Sequence, residues 1–169
     1  TLAALTRHMF SPPLQWGYRR VKWNGRRIEL HGVCFDLGGI AKGYAAQQAL
    51  RALTAQGVHR ALVAVSGDIC ASEGEWKVGA QGRTVLLTNA CISTSGDESQ
   101  PGHIFDPRTG RRTEREGQVT VLSRDGARAD ALATAHHLLS EPGAWIDERA
   151  TPPSSAAPVP RGKPSRDPR

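Results

Sequence analysis

Apolar positions in this chain change their spacing several times, and each change marks an element. Leu2, Leu5 and Met9 recur at helical spacing until Ser11-Pro12-Pro13 ends the run. Tyr18 to Trp23 and Arg26 to Leu30 flank Asn24-Gly25, a pair that tolerates φ > 0, and so predict a β-hairpin. Val33 to Asp36 predicts a third short strand leading into Leu37-Gly38-Gly39. From Ala41 to Gln56 the period is helical, with Ala45, Ala49, Leu50 and Leu53 as the apolar stripe and Gly57 as the C-cap. The continuous run Arg60 to Val65 predicts a buried strand that ends in a second glycine turn, Ser66-Gly67-Asp68. Glu75 to Ala80 and Thr84 to Leu87 predict a strand pair. Ala90 to Thr94 predicts a strand running into Ser95-Gly96-Asp97, and Gln118 to Leu122 another. Ala127 to Leu139 predicts a helix of small residues that packs closely against its neighbours.

The pattern fades near Ala150, which sets the domain organisation. Residues 1–150 are long enough to bury a core. Residues 151–169 hold six of the eleven prolines and predict a disordered tail, unable to bury enough apolar area to offset its ordering entropy. The formal net charge is +6, and half of it sits in that tail, where Arg161, Lys163, Arg166 and Arg169 stand against Asp167. The rest is ordinary for a folded domain. No basic helix, aromatic platform or zinc-finger spacing accompanies the charge, so nucleic acid is not an expected partner. No apolar run approaches the ~18 residues of a membrane helix, so no transmembrane segment is expected in this chain. Cys34, Cys70 and Cys91 are odd in number and lack C-x-x-C spacing. They argue against a disulfide framework or a cysteine zinc site and predict buried free thiols.

Candidate chemistry gathers at the turns. In Asp36-Leu37-Gly38-Gly39-Ile40-Ala41-Lys42-Gly43 two glycines precede a helix start, whose unpaired N–H groups and positive dipole end suit a phosphate. Lys42 lies where it can reach the same anion. The alternative is a tight βα turn with a surface lysine. Asp130 and Thr134 stand four apart on the last helix, which puts a carboxylate and a hydroxyl on one face, a hard-oxygen pair suited to Mg²⁺. The alternative there is a solvated Asp and a Thr bonded to its own helix. His103, just before Asp106-Pro107, can act as general acid or base or orient a phosphate; otherwise it is a satisfied, half-buried histidine. His136 and His137 point about 100° apart and are read as packing and surface residues. Asp36, Asp68, Asp97 and Asp106 border turns, where Asp commonly bonds its own backbone, with room for one or two to line a site. No G-x-S-x-G elbow or H-E-x-x-H helix is present, so acyl transfer and zinc hydrolysis have no support.

Five blocks in order resemble the ApbE family of FAD:protein FMN transferases. They are Asp36 to Ala45, Ser66-Gly67-Asp68, Ser93 to Asp97, His103 to Gly110 and Ala129 to Ala135. The resemblance implies an α+β fold, a mixed or antiparallel sheet with packed helices. It implies a Mg²⁺-dependent transfer of FMN from FAD, as substrate, to a Thr or Ser hydroxyl of an acceptor flavoprotein, with AMP leaving. The acceptors implied are subunits of membrane redox complexes, and the location implied is the cell envelope, on the periplasmic side of the inner membrane; the alternative is cytoplasmic. By position, the Gly39 carbonyl, Asp130 and Thr134 would hold Mg²⁺, Lys42 and Ile104 would contact FAD, and His103 and Asp106 would stand by the pyrophosphate as catalytic groups. The chain departs from the family at Gln47, where Asp is usual, and at Ser66-Gly67, where Gly-Gly is usual. It also corresponds to the C-terminal portion of the family's domain, without the N-terminal half that contacts isoalloxazine and adenine. Two other outcomes share these residues: a Mg²⁺-dependent FAD pyrophosphatase, with water as acceptor, and an inactive flavin-binding remnant.

Overall fold

Alternating side chains on five strands give the sheet at the centre of this fold two unlike faces. The computed structural model describes residues 18–96, 103–107, 109–113 and 115–150. The sequence-predicted helix at Leu2–Phe10, Asp97 and the tail from residue 151 lie outside the described residues. The sheet joins β3 (Leu62–Val65), β4 (Asp68–Ala71), β7 (Ala90–Gly96), β10 (Gln118–Ser123) and β11 (Trp145–Asp147) in the order β11-β10-β7-β4-β3. Only β10 and β11 run parallel; the other pairs are antiparallel, so the sheet is mixed and the fold is α+β. The short parallel strand β11 was not anticipated.

One face is covered by α1 (Ala41–Ala55) and α2 (Gly126–Leu139). Ala46, Cys70, Cys91 and Ala129 pack there, next to Val119, Val121 and Ala133. The other face carries Ala71, Ala90, Ile92 and Leu122, and it is closed by Val78 and Leu87 from the hairpin β5 (Trp76–Ala80) and β6 (Arg83–Leu87). That hairpin turns through Gln81-Gly82, both at positive φ, as its two-residue loop requires.

Several local expectations change. The Asn24-Gly25 hairpin forms as β1 (Val21–Trp23) and β2 (Ile28–Leu30), but Trp23 pairs with Ile28 across a four-residue loop. The Asn24 side chain takes the N–H groups of Arg26 and Arg27 and so widens the turn. Val33 to Asp36 is not a strand but irregular chain in which Val33 alone is buried. On α1 the buried stripe is Gly43 and Ala46, with Leu50 beside them, whereas Ala45, Ala49 and Leu53 face solvent. The helix buries its smallest residues because it lies very close to α2. Gly57 ends it as expected: its N–H donates to Thr54 and that of Val58 to Leu53, the paired bonds of a Schellman end. Strand β3 is a half-buried edge, not a buried strand.

The expectation of buried free thiols fails for all three cysteines, two in being free and one in being buried. Cys70 and Cys91 are directly paired across β4 and β7 and form a disulfide beneath the helices. Cys34 is free and exposed. The pairing depends on strand register, which cysteine spacing along the chain does not encode.

Candidate functional site

The site is built where α1 crosses α2. A Cβ on Gly43 would lie 2.0 Å from the Gly126 carbonyl oxygen, and one on Gly126 would lie 2.3 Å from that of Gly43. Two glycines therefore set the contact distance between the helices. Helix α2 starts just there because the Asp125 carboxylate caps it, accepting from the Arg128 N–H at 2.9 Å. The crossing carries Asp130, on the second turn of α2, onto the first turn of α1. Its Oδ2 accepts the Gly43 N–H at 3.0 Å. This amide is one of the unpaired N–H groups expected to serve an external anion. A carboxylate from the neighbouring helix already holds it, and Ile40 at the N-cap supplies no side-chain bond.

The turn before α1 is set by Asp36, whose Oδ1 accepts the Gly38 N–H at 2.7 Å. Lys42 then reaches back and inward. Its Nζ lies 3.1 Å from the Gly38 carbonyl, 3.1 and 3.3 Å from the two Asp130 oxygens, and 3.3 Å from Asp68 Oδ2. Side-chain exposure is 38% for Lys42 but 3% for Asp68 and 1% for Asp130. Asp68 arrives by a two-residue turn: Val65 pairs with Asp68, and Ser66 and Gly67 between them have φ of +48° and +95°. The returning strand therefore begins with the carboxylate facing the helices, where the Ser93 hydroxyl donates to its Oδ1.

Electrostatics follow from this burial. Desolvation opposes the Lys42 charge, but the Asp68 and Asp130 charges and their hydrogen bonds outweigh it, and its pKa is raised above the ordinary lysine value. For Asp68 desolvation raises the pKa, the Ser93 hydroxyl lowers it, the Asp130 charge raises it and Lys42 lowers it; the net direction is upward.

The expected site residues separate into two groups. Lys42 and Asp130 meet directly. Thr134, one turn beyond Asp130, shares a 3.1 Å hydrogen bond with Ser95 of β7. The carbonyl against the Lys42 ammonium is that of Gly38, which directly precedes Gly39, the carbonyl expected at the cation. His103, exposed, and Ile104, buried, lead into β8 (Phe105–Asp106), which pairs with β9 (Arg111–Arg112). The Asp106 carbonyl accepts the Gly110 N–H at 2.8 Å and closes that turn. Arg115 fastens the arm to the other end of α2 through the Leu138 and Ser140 carbonyls, at 2.7 and 2.6 Å. Asp68, Ser93 and Ser95 fall within the family-like blocks, but from sequence Ser93 and Ser95 had no role and Asp68 only that of a turn residue with room to line a site. The alternation that puts Ser93 and Ser95 on one face of β7 is the signal that finds them.

The donors at the cage are hard oxygens: two buried carboxylates and a carbonyl, with a hydroxyl one turn away. Such a set fits Mg²⁺ or a similar hard cation and not a soft metal. Among the described residues no group of three or more His, Cys, Asp or Glu converges on one point. A cation here would draw on no more than two described carboxylates and complete its shell with carbonyl, hydroxyl and water oxygens.

The arrangement defines an α+β domain in which a glycine crossing buries an oxygen-rich cluster at the start of a helix. Solved structures share the fold. The flavinyl transferase ApbE of Pseudomonas stutzeri, apo form, superposes with a TM-score of 0.67 at 31% identity, over 74% of this chain and 45% of that one. The apbe protein of Thermotoga maritima superposes with a TM-score of 0.66 at 27% identity, over 73% of this chain and 48% of that one. A relative named FAD:protein FMN transferase in Klebsiella pneumoniae (strain 342) is 35% identical over 125 residues, 63% of this chain and 39% of the relative. One of the same name in Rhodobacter capsulatus is 34% identical over 123 residues, 61% of this chain and 24% of the relative. The model of the ApbE family matches residues 8–151, and the chain belongs to the ApbE family. It spans less than half the length of each of these four proteins.

Proposed function

We infer that this chain carries the cation-binding part of a transferase that moves FMN from FAD to a Thr or Ser hydroxyl of an acceptor flavoprotein, releasing AMP. The observation behind this reading is the pair of buried carboxylates, Asp130 and Asp68, gathered with the Gly38 carbonyl around Lys42 at the helix crossing of a chain matched by the ApbE family model. Mg²⁺ would be held by Asp130 and Thr134 with the Gly39 carbonyl, and when bound it would neutralise charge on the pyrophosphate. Lys42 would pair with a phosphate oxygen, and buried Ile104 would pack against the flavin nucleotide. His103 would accept the hydroxyl proton or orient the phosphate, and Asp106 would stand near the pyrophosphate. In the transfer the acceptor oxygen bonds to the FMN phosphorus, the anhydride P–O bond breaks, and AMP keeps the bridging oxygen.

The acceptors proposed are subunits of membrane redox complexes, and the compartment proposed is the cell envelope. The Cys70–Cys91 disulfide favours that compartment, since such bonds persist where the surroundings are oxidising. Among the described residues no helix is long and apolar enough to cross a membrane.

The purified chain would be incubated with FAD, Mg²⁺ and a Thr-bearing acceptor domain, then denatured and inspected for protein-bound flavin fluorescence. Asp130→Ala should lose about a hundredfold or more of the transfer rate, the scale of removing a group that stabilises charge in the transition state. Undiminished transfer by Asp130→Ala would remove Asp130 from the cation site. Free FMN and AMP without labelled acceptor would replace transfer by hydrolysis.

A further inference from the structure

The Lys42 ammonium has three protons and no capacity to accept, and it is surrounded by four oxygens within 3.3 Å. All of its donors are spent inside the protein. As it stands, Lys42 cannot also bind an external anion; to do so it must release at least one of these partners. The partners are unequal. Asp130 is held independently by the Gly43 N–H, so it stays in place without Lys42. Asp68 belongs to a different element, β4, and is held by the Ser93 hydroxyl. The lysine thus stands between two fixed carboxylates, one on a helix and one on the sheet, and can keep either without the other.

We propose that Lys42 is the resident counter-cation of this cage: it occupies Asp130 while no divalent cation is there, competes with that cation for the carboxylate, and withdraws toward Asp68 when the cation enters, its freed donors then facing whatever anion the cation brings. This rests on the reading of a divalent cation at Asp130 given above. Lys42 contacts both Asp130 oxygens, at 3.1 and 3.3 Å, so a divalent cation that ligates Asp130 meets the ammonium on whichever oxygen it takes. Exchange therefore follows from geometry. The Asp68–Ser93 pair has the role of a second station, which keeps the lysine close instead of expelling it to solvent. Cation and anion binding become coupled through one side chain, and linkage requires the coupling to be reciprocal.

The test uses Mn²⁺ as the probe, with free Mn²⁺ read by electron paramagnetic resonance, on the purified chain without nucleotide. Lys42→Met should bind Mn²⁺ at least fivefold more tightly than the unsubstituted chain. Lys77→Met, which removes the same charge from an exposed position on β5, should bind within twofold of it. Equal or weaker binding by Lys42→Met would overturn the proposal, as would an equal gain in Lys77→Met. Asp130→Asn separates the two levels of inference. If it binds Mn²⁺ as well as the unsubstituted chain does, the cation reading at Asp130 falls, and the proposal with it. If it loses binding while Lys42→Met gains none, only the proposal falls. Because Lys42→Met leaves two buried carboxylates uncompensated, a second measurement uses the unsubstituted chain. Acetic anhydride labelling followed by mass spectrometry should modify Lys42 severalfold faster with Mn²⁺ than without it, relative to Lys77. An unchanged ratio would overturn the exchange.

Discussion

The two faces of the central sheet use the same strands for opposite ends. On the hairpin face, Ile69, Ala71, Ile92 and Leu122 meet Val78 and Leu87 in nearly pure hydrocarbon. On the helix face, the alternate positions Asp68, Cys70, Cys91 and Ser93 meet Ala46, Gly43 and Asp130. Hydrocarbon burial needs only volume and shape, so large side chains fill the first face. Burying a carboxylate demands a partner for each oxygen, so the second face keeps its side chains small and lets backbone and ammonium come close. One face supplies cohesion and the other buries a polar cluster that cohesion must hold together.

The comparison can be broken from the hydrocarbon side first. Leu87 is fully buried, and Leu87→Ala should cost about 2–5 kcal/mol of stability, read as a shifted urea midpoint. Below the transition the variant should still bind Mn²⁺ like the parent, because nothing on the helix face has moved. Lost binding in a folded Leu87→Ala would mean that the two faces are not separable. Gly43→Ala attacks the other side. Its new methyl meets the Gly126 carbonyl, and the helices must part at a cost of about 1–3 kcal/mol. Its effect on Mn²⁺ affinity should be larger than that of Leu87→Ala although its effect on stability is smaller.

The smallest effect is the dependence on pH. The folded-state pKa of Asp68 lies above its ordinary value of 3.8, chiefly through burial. As pH rises through that interval the unfolded chain gives up its proton first, so the folded state binds more protons and stability falls with rising pH. Asp68→Asn should flatten this slope in a series of urea midpoints taken upward from pH 3.8. An unchanged slope would assign the pH dependence to other groups.

What the sequence disclosed follows the same division. Alternation and turn residues located the β5–β6 hairpin, β7, β10 and both helices, because those elements follow local periodicity and turn chemistry. The four-residue spacing of Asp130 and Thr134 marked the polar face of α2 correctly, since that spacing is a property of any helix. Large apolar residues misled on α1: Leu53 looked buried and is not, while Gly43 and Ala46, which do the packing, carry almost no hydrophobic signal. Asp68 was legible as a turn residue with room to line a site, not as a buried one. Its burial depends on a four-residue return strand and on Ser93 twenty-five positions away. The Cys70–Cys91 bond was misread for the same reason, because register is settled between strands and not along them.

The disulfide also has a mechanical consequence. It ties β4 to β7 and closes off the chain between them, including the whole β5–β6 hairpin. If the chain were pulled from its two ends, tension would pass directly from Cys70 to Cys91 through sulfur. The closed segment would never be stretched, which withholds roughly 70 Å of extension from a chain that lengthens by about 3.3–3.6 Å per residue over a separation of 21. The hairpin that closes the hydrocarbon face is thus sheltered from load, and the strands carrying Asp68 and Ser93 are riveted together within two residues of the carboxylate they position.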